Sequence, residues 1–521
     1  MQQTTAEHMK RYLIAHDLGT SGNKASLVDL EGNILRSYTK EYPMECPRPG
    51  WAQQNPQLWW EAVCICTKQI LGEIPPCQVA GVCVTGQMMC CLPIGKEGIP
   101  LYPGLIWADG RAEEAATRLQ QKFGADRFYQ ITGMRCSPNY GLPKMMWLKQ
   151  NKPEIYCSTD KFLSPKDYIN FMLTGIAAID PENAAFWQCY DWKNRSWSAP
   201  LLNAAEISTN KLPDVLDISA IIGYVRPEIA SQCGLALGTP VIMASGDGGT
   251  ATLGAAVLEP GDAYISLGTS SWVCVVSGKQ TLDPQQRIAK LAYLNTWRDS
   301  GTMQAGGYAY RWMEETFCQS ERSLGIAEGK SWNELVDDLA STTPPGADGL
   351  LFQPYLLGER SPLWDMQLRA AFIGLTSSTT KAHICRSVME GVALHLRWIY
   401  QCILETNRLS KSKSIKLVGG GGKSFVWRQI FADVFGVPIE IVSRPDQAGA
   451  LGCAVTAGVA LGVYRNYSDI RRFQSVESIV EPNFSRYKLY QEMLGILVDS
   501  AAALQPIHHR LGKLSLNSDN C

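Results

Sequence analysis

The chain has 521 residues, of which 45% are hydrophobic and 19% charged, with a formal net charge of −1. That length leaves room for two or three cores in an ordinary globular composition, since domains run to roughly 100–200 residues each. The near-neutral balance excludes the basic footprint of a nucleic-acid binder or of a protein drawn to an anionic membrane surface.

At the N-terminal end, Lys10 and Arg11 precede only a short apolar run, which Asp17 interrupts, so neither a signal peptide nor a membrane span is expected there. The run Tyr12-Leu-Ile-Ala enters Asp17-Leu-Gly-Thr-Ser-Gly22, and a second run, Ala25-Ser-Leu-Val28, follows before the turn signal Glu31-Gly-Asn33. Short apolar runs separated by Gly-rich and Gly-Asn turns predict an antiparallel meander. In its turn, Gly19, Thr20 and Ser21 offer backbone N–H groups and hydroxyls that can cradle a phosphate. Asp17 can hold a hydrated Mg2+, and Lys24 adds a positive charge. A plain hairpin turn with a strand-end aspartate is the competing reading of the same residues.

Pro56 to Ile70 has helical spacing, with a Trp59-Trp60 pair. The strand-like run Val79–Thr85 then leads to Gln87, Met88 and Met89, which are either pocket lining or core filler. Trp107-Ala-Asp-Gly-Arg111 sets an aromatic face, Asp109 and Arg111 within five residues, a combination that binds sugars; a solvated loop is the alternative. Asp247 stands between an apolar strand, Val241-Ile-Met-Ala, and a small-residue helix start. There it is either a helix N-cap or a general base able to accept a proton from a substrate hydroxyl, and such groups contribute ~10²–10⁴-fold.

Pro and Gly near Val257-Leu-Glu-Pro-Gly261 mark a hinge. Beyond it the tetrapeptide Leu18–Ser21 recurs as Leu267–Ser270, again between two apolar runs, so Gly268 and Thr269 repeat the chemistry of the first turn. Two related halves are expected, each opening on a hairpin. Lys381 to Leu404 has helical periodicity, and Ile415–Val418 leads into Gly419–Gly422. That glycine run suits close approach of adenine and ribose, with Lys423 and Ser424 in reach. The polar stretch after Ala503 is expected to be poorly ordered. No GxxxxGK[ST] loop occurs, which argues against a P-loop enzyme. The 17 cysteines are scattered, without paired zinc-ligand spacing, and read as buried reduced thiols of a cytoplasmic protein.

These elements together resemble the FGGY carbohydrate kinases, and among them the xylulose kinases, over roughly residues 11–500. The matching stretches are Asp17–Gly22 with Lys24, Pro49–Pro56 with Trp59-Trp60, Pro165–Tyr168 with Leu173-Thr-Gly175, and Gly374-Leu375 with His383, Ser387 and Glu390. The resemblance implies an α/β fold, a duplicated ribonuclease-H-like (actin-like ATPase) architecture of two domains with a central cleft. Residues 10–257 would bind sugar and carry the catalytic base; residues 258–505 would bind nucleotide. It implies ATP and Mg2+ as cofactors, Asp247 as the base, Asp17 as the metal-associated carboxylate, and Thr20, Ser21 and Thr269 as phosphate contacts. Gly306, Gly420, Gly421 and Ser424 fall where the family binds nucleotide. The expected partner is a small sugar or polyol, without nucleic acid or membrane, and a homodimer stays open. A sugar-responsive binding or regulatory protein of the same fold is the rival reading.

Three positions depart from the xylulose-kinase pattern. Met89 replaces the His of GQMHG, Gly248 replaces the Asn after the base in GDNA, and Ala184-Ala-Phe-Trp187 stands where ASGT is usual. A site that loses hydroxyl partners changes its preference strongly, so an acceptor other than D-xylulose is expected.

Overall fold

In the computed structural model, residues 10–321, 329 and 331–518 are described. They form two compact units. The first comprises the chain up to Ala256 together with Leu291–Asn295 and Gln447–Gln474; the second comprises Val257–Lys290, Thr296–Asp446 and the chain from Ser475 onward. The break after Ala256 is therefore not the only one, because two later segments belong with the first unit.

The first unit is built on a six-stranded sheet in the order Ile221–Tyr224, Pro240–Ile242, Val79–Gly86, Tyr12–Leu18, Gly22–Asp29, Ile34–Glu41. Tyr12–Leu18 runs antiparallel to Gly22–Asp29, with Asp17 opposite Lys24, and parallel to Val79–Gly86, with Asp17 opposite Thr85. Pro240–Ile242 is also parallel to Val79–Gly86. Every residue of Val79–Gly86 is buried, as expected of a central parallel strand covered on both faces. Ile34–Glu41 is the edge, and there Arg36, Lys40 and Glu41 discourage pairing with another chain. The expected meander and first helix are present: Pro56–Leu71 starts on Asn55, whose side chain accepts from Gln57 N–H, and stops at Gly72. Trp59, Val63, Cys66, Thr67 and Ile70 form its buried stripe.

The second unit holds six strands of one sheet in the order Thr296–Met303, Ser271–Val276, Ala263–Leu267, Ile415–Val418, Ile439–Val442, Val476–Val480. Ala263–Leu267 pairs antiparallel with Ser271–Val276 and parallel with Ile415–Val418, which is parallel to Ile439–Val442. The same succession, three antiparallel strands and then two parallel ones, appears in both sheets. This is the duplicated ribonuclease-H-like arrangement, and the repeated Leu-Gly-Thr-Ser marks the same hairpin turn in each copy. Helix Lys381–Asn407 crosses the second core and is buried on nearly all sides between Cys385 and Ile403.

One expectation is corrected. The chain after Ala503 continues the helix Phe484–Ser518. Its polar residues have partners: Gln505 donates to Asp365 at 2.7 Å, His509 Nε2 meets the same carboxylate at 2.6 Å, and His508 is buried. Among the described residues no cysteine is bonded to another, and no helix is long and apolar enough to cross a membrane.

Candidate active site

In the first unit the parallel strands Tyr12–Leu18, Val79–Gly86 and Pro240–Ile242 point their carboxyl ends the same way, the edge at which open α/β sheets bind ligands. Asp17 stands at the end of the first strand. Gln87 N–H donates to Leu18 O at 2.8 Å, which keeps the following turns side by side. Beyond the third strand, Gly246 extends the backbone and Asp247 opens helix Asp247–Gly254. A Cβ on Gly246 would lie 2.2 Å from Met88 Sδ, so Met88 is packed against the backbone next to Asp247.

The charge of Asp17 reaches Asp247. Burial, the negative charge of Asp17 and, in opposition, the Gly248 N–H at 2.7 Å set the Asp247 pKa at about 7. Burial also raises Asp17, and Lys24 partly offsets it. Asp17 rests on an element that the sequence reading missed. A Cβ on Gly449, in the first turn of helix Ala448–Ala460, would lie 3.0 Å from Asp17 Oδ2. The positive end of that helix favours the ionised carboxylate. Helices Asp247–Gly254 and Ala448–Ala460 touch through glycines, since a Cβ on Gly254 would lie 1.7 Å from Ala448 O and one on Gly452 2.1 Å from Thr250 O. The run Ala448-Gly-Ala-Leu-Gly452 was the available sequence signal. Gly449→Ala is expected to displace the Asp17 carboxylate by a few tenths of an ångström and to lower kcat roughly 10-fold. The melting temperature should hardly move; steady-state kinetics with a thermal melt checks both.

The first hairpin turn is tied to the neighbouring loops. Gly19 N–H donates to Gly22 O, Tyr42 O–H donates to Gly19 O, and Tyr42 N–H donates to Ser21 O. Trp107 Nε1 donates to Thr20 Oγ1 at 2.7 Å. Gln54, also missed from sequence, gives its amide to Thr20 O and receives Gln87 Nε2 at 2.8 Å and Trp59 Nε1 at 3.1 Å. Gln87 Oε1 is left buried without a protein partner. Met89 is held at φ 65°, in the left-handed region.

Asp109 and Arg111 are placed differently from the expectation that they meet a sugar. Both side chains are fully buried. The Asp109 carboxylate accepts from Ala52 N–H at 2.7 Å and from Arg111 N–H and Nε–H, and Arg111 lies over the ring of Trp51 at 3.9 Å. The pair holds the loop. The bulk expected beside the sugar at Phe186-Trp187 is also corrected in part. Trp187 is core, buried against Gly141 and stacked on Trp197, while Phe186 stacks on Tyr140 at 5.8 Å.

In the second unit, three glycine loops meet along residues 267–271. Gly307 N–H donates to Gly268 O at 2.7 Å and Tyr308 N–H to Thr269 O at 3.0 Å. A Cβ on Gly306 would lie 1.9 Å from Ser271 Oγ. Gly419, at φ 94°, and Gly421 leave 2.7 and 2.4 Å from their Cβ positions to Leu267 O and Cδ2. Gly420 meets nothing within 4 Å, and Thr269 is exposed. Ser424 departs from the expected ligand contact: it is buried, caps helix Phe425–Phe435 by accepting from Trp427 N–H, and donates to Asp337. Chemically, the first unit offers a proton acceptor and a carboxylate pair, and the second offers exposed backbone suited to phosphates.

Family models match both parts of the chain: the N-terminal domain of the FGGY family of carbohydrate kinases over residues 12–254 and its C-terminal domain over 263–461. Among curated relatives, a xylulose kinase of Staphylococcus epidermidis is 30% identical over 94% of this chain and 96% of its own length. A gluconokinase of Bacillus subtilis is 28% identical over 95% of this chain and 97% of its own. The crystal structure of gluconate kinase from Lactobacillus acidophilus superposes with a TM-score of 0.89 at 27% identity, covering 96% of this chain and 99% of that one.

Proposed function

The chain belongs to the FGGY family of carbohydrate kinases, and from that premise we propose that it transfers the terminal phosphoryl group of ATP to a hydroxyl of a small sugar, sugar acid or polyol other than D-xylulose. It is a carbohydrate kinase of the xylulose kinase-like kind, and the proposal concerns its acceptor and the residues that act. The observation that carries it is the pairing of Asp247 with Asp17 at the carboxyl edge of the first sheet, with Met88 packed against Gly246.

Asp247 takes the proton of the attacking hydroxyl. A carboxylate with a pKa of about 7 does this well, because efficient general bases lie near the working pH. Gln87 Oε1, buried and unpartnered, is ready to accept from an acceptor hydroxyl, and Met88, Met89 and Trp107 supply apolar surface to its C–H faces. Gly19, Thr20, Ser21 and Lys24 in the first unit, and Gly268, Thr269, Gly306, Gly420 and Gly421 in the second, hold the nucleotide. Asp17 would hold the cation. Its fit to Mg2+ rests on the donors: two mutually repelling carboxylates beside a glycine are relieved by a divalent ion, and Mg2+ uses only one or two protein carboxylates while keeping several waters. MgATP, when bound, supplies the phosphoryl group and neutralises its developing charge.

The relatives named as gluconokinases put D-gluconate first among acceptors to try. Missing hydroxyl partners at Met89 and Gly248 support an acceptor unlike D-xylulose. ADP release is measured with D-gluconate, D-xylulose, other pentuloses, hexuloses and glycerol. The expected result is at least a tenfold advantage in kcat/KM for one acceptor over D-xylulose; a wide lead for D-xylulose refutes the specificity assignment. Asp247→Ala should keep acceptor affinity within about threefold while ADP release disappears, since binding and proton transfer are separate demands.

A further inference from the structure

The sugar-side loops share one buried cation. Lys144, in helix Gly141–Asn151, is fully buried, and its ammonium donates to three backbone carbonyls: Met89 O at 3.0 Å, Ile106 O at 2.6 Å and Asn139 O at 2.5 Å. An ammonium has three N–H donors, and all three are spent on main chain. Among the described residues no carboxylate pairs with it, which is unusual for a buried lysine. Burial lowers its pKa to about 8, which still leaves it protonated at neutral pH.

Each carbonyl belongs to a different loop. Met89 follows Gln87 and Met88, Ile106 precedes Trp107, and Asn139 precedes the helix itself. The second loop is tied again, because Asn139 Nδ2 donates to Trp107 O at 3.1 Å and Asp109 O at 3.3 Å. Trp107 passes the restraint to Thr20 through its indole N–H. Met89 holds a left-handed backbone that a non-glycine residue adopts only when its surroundings enforce it. The bond from Lys144 to Met89 O supplies that enforcement.

We infer that Lys144 is a positioning residue for acceptor specificity, fixing the Met88-Met89 turn and the Trp107 loop in the register that the acceptor meets. This rests on the reading of Met88, Met89 and Trp107 as sugar-facing. Lys144 touches no reacting atom; it acts through the backbone of three loops. Lys144 reaches the nucleotide contacts of the first unit only indirectly, through Trp107 and Thr20, so its loss falls mainly on the acceptor.

Lys144→Met keeps the reach of the side chain and removes its donors. The assay uses whichever of D-gluconate, D-xylulose, hexuloses or glycerol the wild type phosphorylates best. The expected result is a rise of at least tenfold in the acceptor KM, with the ATP KM and acceptor-free ATP hydrolysis within threefold of wild type. An unchanged acceptor KM in the folded variant, or equal rises in both KM values, overturns the inference. Should Lys144→Met fail to fold, Asn139→Ala decides instead, because it keeps the carbonyl to Lys144 and loses the ties to Trp107 O and Asp109 O, together with a 3.3 Å bond accepted from Ser137 Oγ. A threefold or larger rise confined to the acceptor supports the inference, and no rise overturns it. Trp107→Ala in the same assay separates the two readings. If it leaves the acceptor KM untouched while Lys144→Met raises it, the sugar-facing role of Trp107 fails and the positioning role of Lys144 stands.

Discussion

Asp247→Asn is expected to lower kcat by ~10²–10⁴-fold, the usual yield of a general base. It should also flatten the acid limb of the pH profile. In the wild type, kcat/KM for the acceptor should rise about tenfold per pH unit on the acid side and level off once the carboxylate is ionised. The midpoint should lie at or below about 7, because a cation on Asp17 cancels part of the charge that raises Asp247. The same substitution should stabilise the fold. A carboxyl whose pKa is raised on folding binds its proton more tightly when folded. Stability is then lost as pH climbs from the ordinary carboxylate range to the folded pKa, and the deficit persists above it. Asn at 247 removes that deficit, so the melting temperature should exceed that of wild type above pH 7, with the difference vanishing below about pH 4. A variant with both lower activity and lower melting temperature at pH 8 would contradict the assignment of Asp247 as a buried base.

Asp109→Ala is expected to be the most destabilising single change in the first unit. It leaves the Arg111 guanidinium buried with no counter-charge and strips Ala52 N–H of its acceptor. Breaking a buried pair from one side costs about 3–5 kcal/mol. For a unit of this size that corresponds to a fall of roughly 6–20 °C in melting temperature. The effect should appear in the first unfolding transition by calorimetry, while Glu206→Ala, whose pairs with Lys122 and Lys149 are exposed, should change it negligibly. Equal effects from the two substitutions would mean that Asp109 is not the anchor of its loop.

The sequence made the repeated hairpin visible because the turn tetrapeptide is short, glycine-dependent and identical in both copies. Asp17 and Asp247 were legible for a similar reason, since each stands where an apolar strand ends in glycines. The mutual pairing of Asp109 and Arg111 was not legible, because five adjacent residues carry no sign of which carboxylate oxygen is already taken. Asp109 Oδ2 accepts from Ala52 N–H, 57 positions away in sequence, and Oδ1 from Arg111. The part of Ser424 in a helix start was likewise not legible, since its partner Asp337 lies 87 positions away. Gly449 was hidden by distance along the chain, because the small-residue run Ala448–Gly452 signals a close approach without naming residue 17 as the neighbour. Lys144 was hidden because a lysine in a mixed helical stretch reads as exposed until its three carbonyl partners are placed.

The return of residues 447–474 to the first unit sets an order of events in biosynthesis. The support beneath Asp17 leaves the ribosome about 430 residues after the strand it supports and some two hundred after Ala256, so at ~5–20 residues per second the first unit, once synthesised to Ala256, waits roughly 10–40 s for completion. During that interval the glycine faces of helix Asp247–Gly254 lie uncovered, which makes the nascent N-terminal half a natural client for chaperones. A fragment ending near residue 257 should accordingly aggregate when produced alone and regain solubility when residues 447–474 are supplied as a separate peptide.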